Sequence, residues 1–82
     1  MVRITSVEPL DDFVVRLSFS DGIVRDLDLA PFIWGPVFEP LREDLELFRQ
    51  VRVDRELGTI VWPNDADLDP DVLHEMALRQ TG

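Results

Sequence analysis

The most suggestive chemistry in the sequence is an acidic run near its C-terminal end, where every second residue from Asp65 to Asp71 is an aspartate. Alternating carboxylates resemble the first half of an EF-hand calcium loop. The resemblance then fails, because the sixth position, which needs glycine, is Pro70, and the twelfth, which needs a bidentate glutamate, is Met76. We therefore predict no metal site here and expect these aspartates to cap and charge the N-terminus of the last helix.

His74 is the single histidine, and together with Ser6, Ser18 or Ser20 and any carboxylate it formally permits a catalytic triad. No nucleophile elbow or spacing supports such a triad, and a hairpin explains the last two serines better. We therefore expect His74 to lie on the surface and predict no catalytic residue and no cofactor. The chain also lacks cysteine and lysine, which removes thiol and lysine-based covalent chemistry.

The two tryptophans are the remaining candidates, because large aromatic side chains often form the centre of recognition surfaces. Trp62 follows a run of β-forming residues, so packing in the core is expected for it. Trp34 is followed by Gly-Pro, and such a corner can leave an aromatic ring partly exposed. We name Phe32, Trp34, Trp62 and Asn64 as candidate partner-binding residues, with Trp34 and Phe32 preferred over the loop that follows Trp62.

The charge balance favours a basic partner. Seventeen acidic residues against eight basic ones give a net charge of −9 and a pI near 4.3. Such a field repels phosphate backbones, so we predict no direct nucleic-acid binding by this chain. An acidic surface also keeps a small protein soluble, which is the simpler explanation of the same charge.

Length and composition indicate one globular domain over residues 1–82, with 45% hydrophobic residues. The absence of cysteine excludes disulfides and thiolate metal sites. No stretch has the apolar length of a membrane span, and the first four residues do not open a signal peptide. The expected location is therefore the cytoplasm, without membrane association.

The element that positions everything else is a hairpin between Phe13 and Leu29, in which two alternating runs flank Ser20-Asp21-Gly22. A three-residue loop brings the apolar residues of both strands to one face, whereas a two-residue loop would pair them with aspartates. Gly22 then takes the left-handed position of the loop. The expected pairs are Phe19 with Ile23, Val15 with Leu27, and Arg16 with Asp26.

The rest of the chain completes an α+β fold. We predict an antiparallel three-stranded meander, short helices, a further strand pair, and a C-terminal helix packed on one sheet face. Leu41, Leu45 and Phe48 repeat at helical spacing, with Asp44 as a possible N-cap of a second short helix. The expected strands outside the hairpin are 1–10, 50–54 and 59–62, and the expected short helices lie between Val37 and Phe48.

The last helix has the clearest start signal, with Asp69 as N-cap and Pro70 at the first helical position. It is expected to end near Arg79. Its apolar stripe is expected to comprise Val72, Leu73, Met76 and Ala77.

A set of motifs follows in a fixed order along nearly the whole chain: Phe19-Ser20-Asp21-Gly22, Asp28-Leu29, Val37-Phe38-Glu39-Pro40-Leu41, Phe48 with Val51 and Val53, Gly58-Thr59-Ile60-Val61-Trp62-Pro63-Asn64, and Asp67-Leu68 with Pro70 and Leu73. This order resembles the bacterial family called domain of unknown function 2442. The resemblance departs at Asp65, where that family commonly has glycine, and at His74, where an aromatic residue is usual.

The resemblance implies a small α+β domain, in some members fused to a C-terminal helix-turn-helix, with no established catalytic residues. It also implies a gene that often lies beside that of another small uncharacterised family, domain of unknown function 4160. That arrangement resembles a type II toxin–antitoxin pair.

Two functional hypotheses follow. The first is a small acidic protein-interaction module, an antitoxin-like partner of a small, basic protein encoded nearby. The second is a small ligand-binding or sensor domain with a regulatory role and no catalysis, using a pocket near Trp34 and Trp62. A hydrolase that uses His74 ranks third, and the sequence leaves open whether the chain forms a homo-oligomer.

Overall fold

The computed structural model describes residues 2–80, and it has the α+β architecture expected from the sequence. The strands are β1 (Ile4–Pro9), β2 (Val14–Phe19), β3 (Val24–Asp28), β4 (Arg52–Asp54) and β5 (Thr59–Val61). The helices are α1 (Glu39–Glu43), α2 (Leu45–Phe48) and α3 (Pro70–Arg79), and a 3-10 turn covers Ala30–Phe32. None of these helices has the length and apolar character that a membrane crossing needs.

The first three strands form the expected antiparallel meander, in the order β1-β2-β3. Val15 pairs with Leu27 as predicted, and the backbone N–H of Phe19 donates to the Ile23 carbonyl at 2.8 Å. The pairing of Arg16 with Asp26 and of Ser18 with Val24 confirms the three-residue loop, and Gly22 has the expected left-handed backbone with φ +91°. The turn chemistry and the apolar pattern thus select the same register.

One face of the meander is buried and the other faces water. Val15, Leu17 and Leu27 are fully buried in the core. On the opposite face Arg16 forms a two-pronged ion pair with Asp26, with Nε–Oδ1 at 2.8 Å and Nη2–Oδ2 at 3.1 Å. That pair holds the pKa of the Asp26 carboxyl below its ordinary value.

The second sheet contains only β4 and β5, paired antiparallel, and both strands are shorter than expected. β5 ends at Val61 because the backbone N–H of Trp62 donates instead to the Ala66 carbonyl at 3.0 Å, which closes a loop. The sheet lies against β1, where the Ile4 N–H donates to the Gly58 carbonyl at 2.9 Å. β1 itself begins at Ile4, and the predicted strand residue Met1 lies outside the described residues.

The two short helices confirm the predicted cap at Asp44, whose carboxylate accepts from the N–H groups of Glu46 and Leu47. The cap residue has an extended backbone and therefore interrupts the helical period. As a result Leu41 and Phe48 are fully buried, whereas Leu45 is 41% exposed. The two short helices expected between Val37 and Phe48 are thus present, and the helical spacing that relates Leu45 to Leu41 does not continue across the Asp44 cap.

Helix α3 begins as predicted, with Asp69 accepting from the Asp71 N–H at 2.8 Å and Pro70 in the first turn. It packs against β3 through Leu73 and Ala77, both fully buried. The predicted stripe is too wide, because Val72 is 45% exposed. Val72 lies about 100° around the helix from Leu73, on the side away from the core.

Candidate functional site

The most exposed large apolar side chain is Trp34, at the tip of residues 32–37, which we call the Trp34 corner. Trp34 is 70% exposed and Val37 is 50% exposed. Gly35, with φ +91°, turns the chain between them, and its carbonyl accepts from the N–H groups of Phe38 and Glu39 at the start of α1. The corner therefore holds two apolar side chains outside the core, and Gly35 allows the chain to turn between them because glycine adopts positive φ without steric cost.

Both ends of the corner are fixed by side chains from elsewhere in the chain. Nη1 of Arg42, on α1, donates to the Ile33 carbonyl at 2.7 Å, and the Ile33 side chain is fully buried. Nδ2 of Asn64 donates to the Val37 carbonyl at 2.9 Å. The exposed ring of Trp34 thus projects from a backbone with hydrogen-bonded supports on either side.

The other candidate partner-binding residues occupy different environments. Trp62 is 1% exposed, and its Nε1 donates to the Phe48 carbonyl at 2.9 Å, so it fills the core as its β-rich neighbours indicate. Its indole is not on the surface, and the loop after it lacks the aromatic anchor considered above. Asn64 supports the Trp34 corner through its amide, a role that the sequence alone did not reveal.

Phe32 is half-buried and links the Trp34 corner to a groove along α3. The groove has a volume of about 330 Å³ and is lined by Phe32, Val72, Glu75, Met76 and Arg79. Across its rim Arg79 pairs with Glu75 at 2.7 Å, one helical turn apart. Neither tryptophan lines this groove, so the ligand pocket expected near Trp34 and Trp62 is not found at this position.

His74 is not the simple surface histidine that we expected. Its side chain is only 19% exposed, with Nε2 2.7 Å from Oδ2 of Asp21 and the ring set edge-on to Phe19 at 5.0 Å between centroids. The Ile23 N–H and then the His74 imidazole hold the pKa of the Asp21 carboxyl below its ordinary value. The pair connects the hairpin turn to α3 across 53 positions of sequence, a separation that local patterns do not bridge.

Of the serines considered for a triad, Ser6 lies in β1, Ser18 in β2 and Ser20 in the hairpin turn. Ser20 Oγ accepts from the Arg3 backbone N–H at 2.9 Å, and the Ser18 carbonyl accepts from the Thr5 hydroxyl at 3.2 Å. In residues 2–80 no serine hydroxyl is hydrogen-bonded to His74.

The acidic run is used for backbone geometry. Asp69 caps α3, and Asp65, with φ +68°, occupies a left-handed position. Such a position suits glycine best and aspartate better than most other residues. Within the described part of the chain, no three His, Asp or Glu side chains are grouped to hold a metal ion.

The fold and the Trp34 corner define a small α+β protein with an acidic composition and a supported, exposed aromatic residue. The chain belongs to the family of proteins of unknown function DUF2442, whose family model matches residues 4–77. The comparisons with curated proteins and with solved structures each gave no match.

Proposed function

We propose that the protein is an acidic interaction module that binds a small basic protein through the Trp34 corner. The observation that carries this proposal is the 70% exposure of Trp34 on a backbone supported at both ends. Exposed single apolar residues are common on protein surfaces, but a tryptophan raised on a supported corner is unusual. Within the proposal, the partner covers Trp34 and Val37 and extends toward Phe32.

The hydrogen bonds from Arg42 and Asn64 favour affinity because they reduce the conformational freedom that the Trp34 corner loses on binding. A flexible loop loses conformational freedom when a partner fixes it, and that loss subtracts from the binding free energy. Here the Ile33 and Val37 carbonyls are already held by Arg42 and Asn64. A buried tryptophan at the centre of an interface typically contributes about 2–4 kcal/mol when tested by truncation to alanine.

The charge of the chain selects a basic partner. The net charge is −9, and the exposed residues Glu39 and Glu43 lie on α1, which directly follows the Trp34 corner. Opposite charges at the rim of an interface mainly accelerate association, while apolar contacts at its centre slow dissociation. The same negative field supports a protein partner over direct contact with nucleic acid.

The family resemblance supports an antitoxin-like role for the module, acting in the cytoplasm. It implies a gene next to that of another small protein, in an arrangement like a type II toxin–antitoxin pair. In this proposal the partner is the small protein encoded beside this gene, and binding restrains the partner's activity.

The test is the binding kinetics of the wild type and two variants with that neighbouring protein. Trp34→Ala should accelerate dissociation about thirtyfold, which corresponds to about 2 kcal/mol. The matched control is Leu57→Ala, which removes an apolar side chain of 56% exposure in the β4–β5 turn and should leave dissociation nearly unchanged. Raising the salt concentration should slow the association of all three proteins.

Three results would contradict the proposal. The first is no binding to the neighbouring protein. The second is an equal increase of the dissociation rate in Trp34→Ala and Leu57→Ala. The third is an association rate that does not respond to salt, because a basic partner steered by this charge must respond.

A further inference from the structure

A second cleft, of about 330 Å³, lies between β1 and the β4–β5 turn. Its polar lining is Arg3, Thr5, Ser20 and Arg55, and its apolar lining is Ile4 and Val53. The chain has 17 acidic residues among 82, yet the lining of this cleft includes two arginines and no carboxylate. The cleft is therefore a local exception to the negative charge of the protein.

The Arg3 guanidinium is held in place without being neutralised. Its Nη2 donates to the carbonyl of Arg55 and, at 3.4 Å, to that of Glu56. The guanidinium lies against Gly58, where an added Cβ would come within 2.8 Å of Cζ. Carbonyl groups orient a cation but do not cancel its charge, and a guanidinium carries five N–H donors, so others remain for a ligand.

Arg55 adds the second positive charge from a turn that is itself well fixed. The Gly58 N–H donates to the Asp54 carbonyl at 2.8 Å, and the Asp54 carboxylate accepts from the N–H groups of Glu56 and Leu57. That carboxylate is thus occupied within the turn. Within residues 2–80, neither Arg3 nor Arg55 is ion-paired with a carboxylate.

Ser20 provides a neutral donor beside the two arginines. Its Oγ accepts from the Arg3 N–H at 2.9 Å, and its own N–H donates to the Arg3 carbonyl at 2.7 Å. Since the hydroxyl oxygen acts as the acceptor toward Arg3, its proton remains to be donated. Two guanidinium groups and a hydroxyl group on one cleft form the donor set that recognises an oxyanion.

We propose that this cleft binds a small oxyanion, a carboxylate or a phosphate, held by Arg3, Arg55 and Ser20. Val53, which is half-buried, provides an apolar side against which a short hydrocarbon body of the ligand packs. The site shares no residue with the Trp34 corner, so it does not depend on the proposed partner binding. The proposed oxyanion site thus lies in a different part of the molecule from the pocket expected near the two tryptophans.

The experiment is an NMR titration of the ¹⁵N-labelled protein with sodium phosphate and, separately, with sodium butyrate, at constant ionic strength. Sodium chloride is the reference titration. The backbone amide signals of Thr5, Ser20 and Gly58 should shift and saturate with at least one of the two anions but not with chloride. Saturation by phosphate alone identifies a phosphate site, and tighter binding of butyrate identifies a carboxylate with an apolar body.

Two arginine variants separate a specific site from general charge attraction. Arg55→Gln removes a cleft guanidinium but keeps the backbone carbonyl that orients Arg3, and it should weaken binding about tenfold or more. Arg52→Gln makes the same charge change at an exposed position of β4 outside the cleft lining and should leave the affinity unchanged. Equal weakening by both variants, or no saturable shift with either anion, would overturn the proposal.

Discussion

The Trp34 corner and the loop of residues 62–66 use similar residues for opposite purposes. Each has a tryptophan close to a proline and a residue with positive φ, Gly35 in the corner and Asp65 in the loop. Yet Trp34 is 70% exposed and Trp62 is 1% exposed. The difference comes from the neighbours, because Trp62 directly follows a strand buried at every residue, whereas Ile33 takes the core position beside Trp34.

The two regions are also physically joined. Asn64, in the loop, donates its amide proton to the Val37 carbonyl of the corner, and its Oδ1 accepts from the Ala66 N–H within its own loop. The Asn64 side chain therefore fixes the Trp34 corner relative to the loop of residues 62–66. A tryptophan beside proline therefore has no fixed environment, and the chain on either side of it decides whether its ring is buried or exposed.

The largest expected effect is on stability, and it separates the two tryptophans most clearly. Trp62→Ala should lower the free energy of unfolding by about 3–5 kcal/mol, because it opens a cavity beside Phe48 and Phe38 and leaves the Phe48 carbonyl without its donor. Trp34→Ala should change it by no more than about 0.5 kcal/mol. Urea denaturation measures both, and similar losses in the two variants would abolish the distinction.

The next effect tests the connection between the regions. Asn64→Ala should reduce the free energy of unfolding by about 1 kcal/mol through the lost hydrogen bond to the Val37 carbonyl. It should also weaken binding of the basic partner, although Asn64 is not proposed to touch it. Denaturation and binding kinetics of the same variant check the two effects, and a stability loss with unchanged binding would show that the support is not needed for recognition.

A smaller effect is expected at low pH, where protonation of Asp21 weakens the contact between the hairpin turn and His74 on α3. Neither tryptophan takes part in this contact. The folded-state pKa of Asp21 lies below its ordinary value of 3.8, so the stabilisation from its contacts is complete above that value and is lost as the pH falls through the lowered one. The stability difference between the wild type and Asp21→Asn should therefore shrink below about pH 4. Denaturation at several pH values measures it, and a difference that grows in acid would contradict the assignment.

The smallest effect concerns the two left-handed residues. Asp65→Gly should stabilise the protein by about 0.5 kcal/mol, because it removes the strain of a side chain at φ +68°. The opposite change in the corner, Gly35→Ala, should destabilise it by about 1 kcal/mol, since a built Cβ meets nothing within 4 Å and only backbone strain remains. Thermal denaturation of the pair checks the signs, and destabilisation by Asp65→Gly would show that the Asp65 side chain is needed in the loop.

The parts of the fold that the sequence predicts correctly depend on short-range chemistry. Gly22 and the alternation around it determine the hairpin register, and Asp44 and Asp69 cap their helices as expected. Each of these features involves residues close together in the chain, so turn and capping preferences are sufficient. Where an element's position on the core decides exposure, periodicity alone is not sufficient, and the apolar stripe predicted for α3 is wrong at Val72.

The candidate sites were less accessible to sequence reasoning. The exposure of Trp34 could be expected from its Gly-Pro corner, but its support by Asn64 comes from 27 positions away. The cleft brings together Arg3 and Arg55, which are 52 positions apart and share no recognisable motif. The cleft arises from the contact of β1 with the second sheet, which no local pattern specifies.

The proposed interface is tested directly by the solvent accessibility of the Trp34 ring when the basic neighbouring protein is added. In a Trp62→Phe variant Trp34 is the only tryptophan. When this variant is mixed with a partner from which all tryptophans have been removed, the tryptophan fluorescence of the complex comes from Trp34 alone. Complex formation should shift the Trp34 emission to the blue and protect Trp34 from quenching by acrylamide. A complex that forms while the emission and quenching of Trp34 stay those of the free protein would contradict the proposed interface.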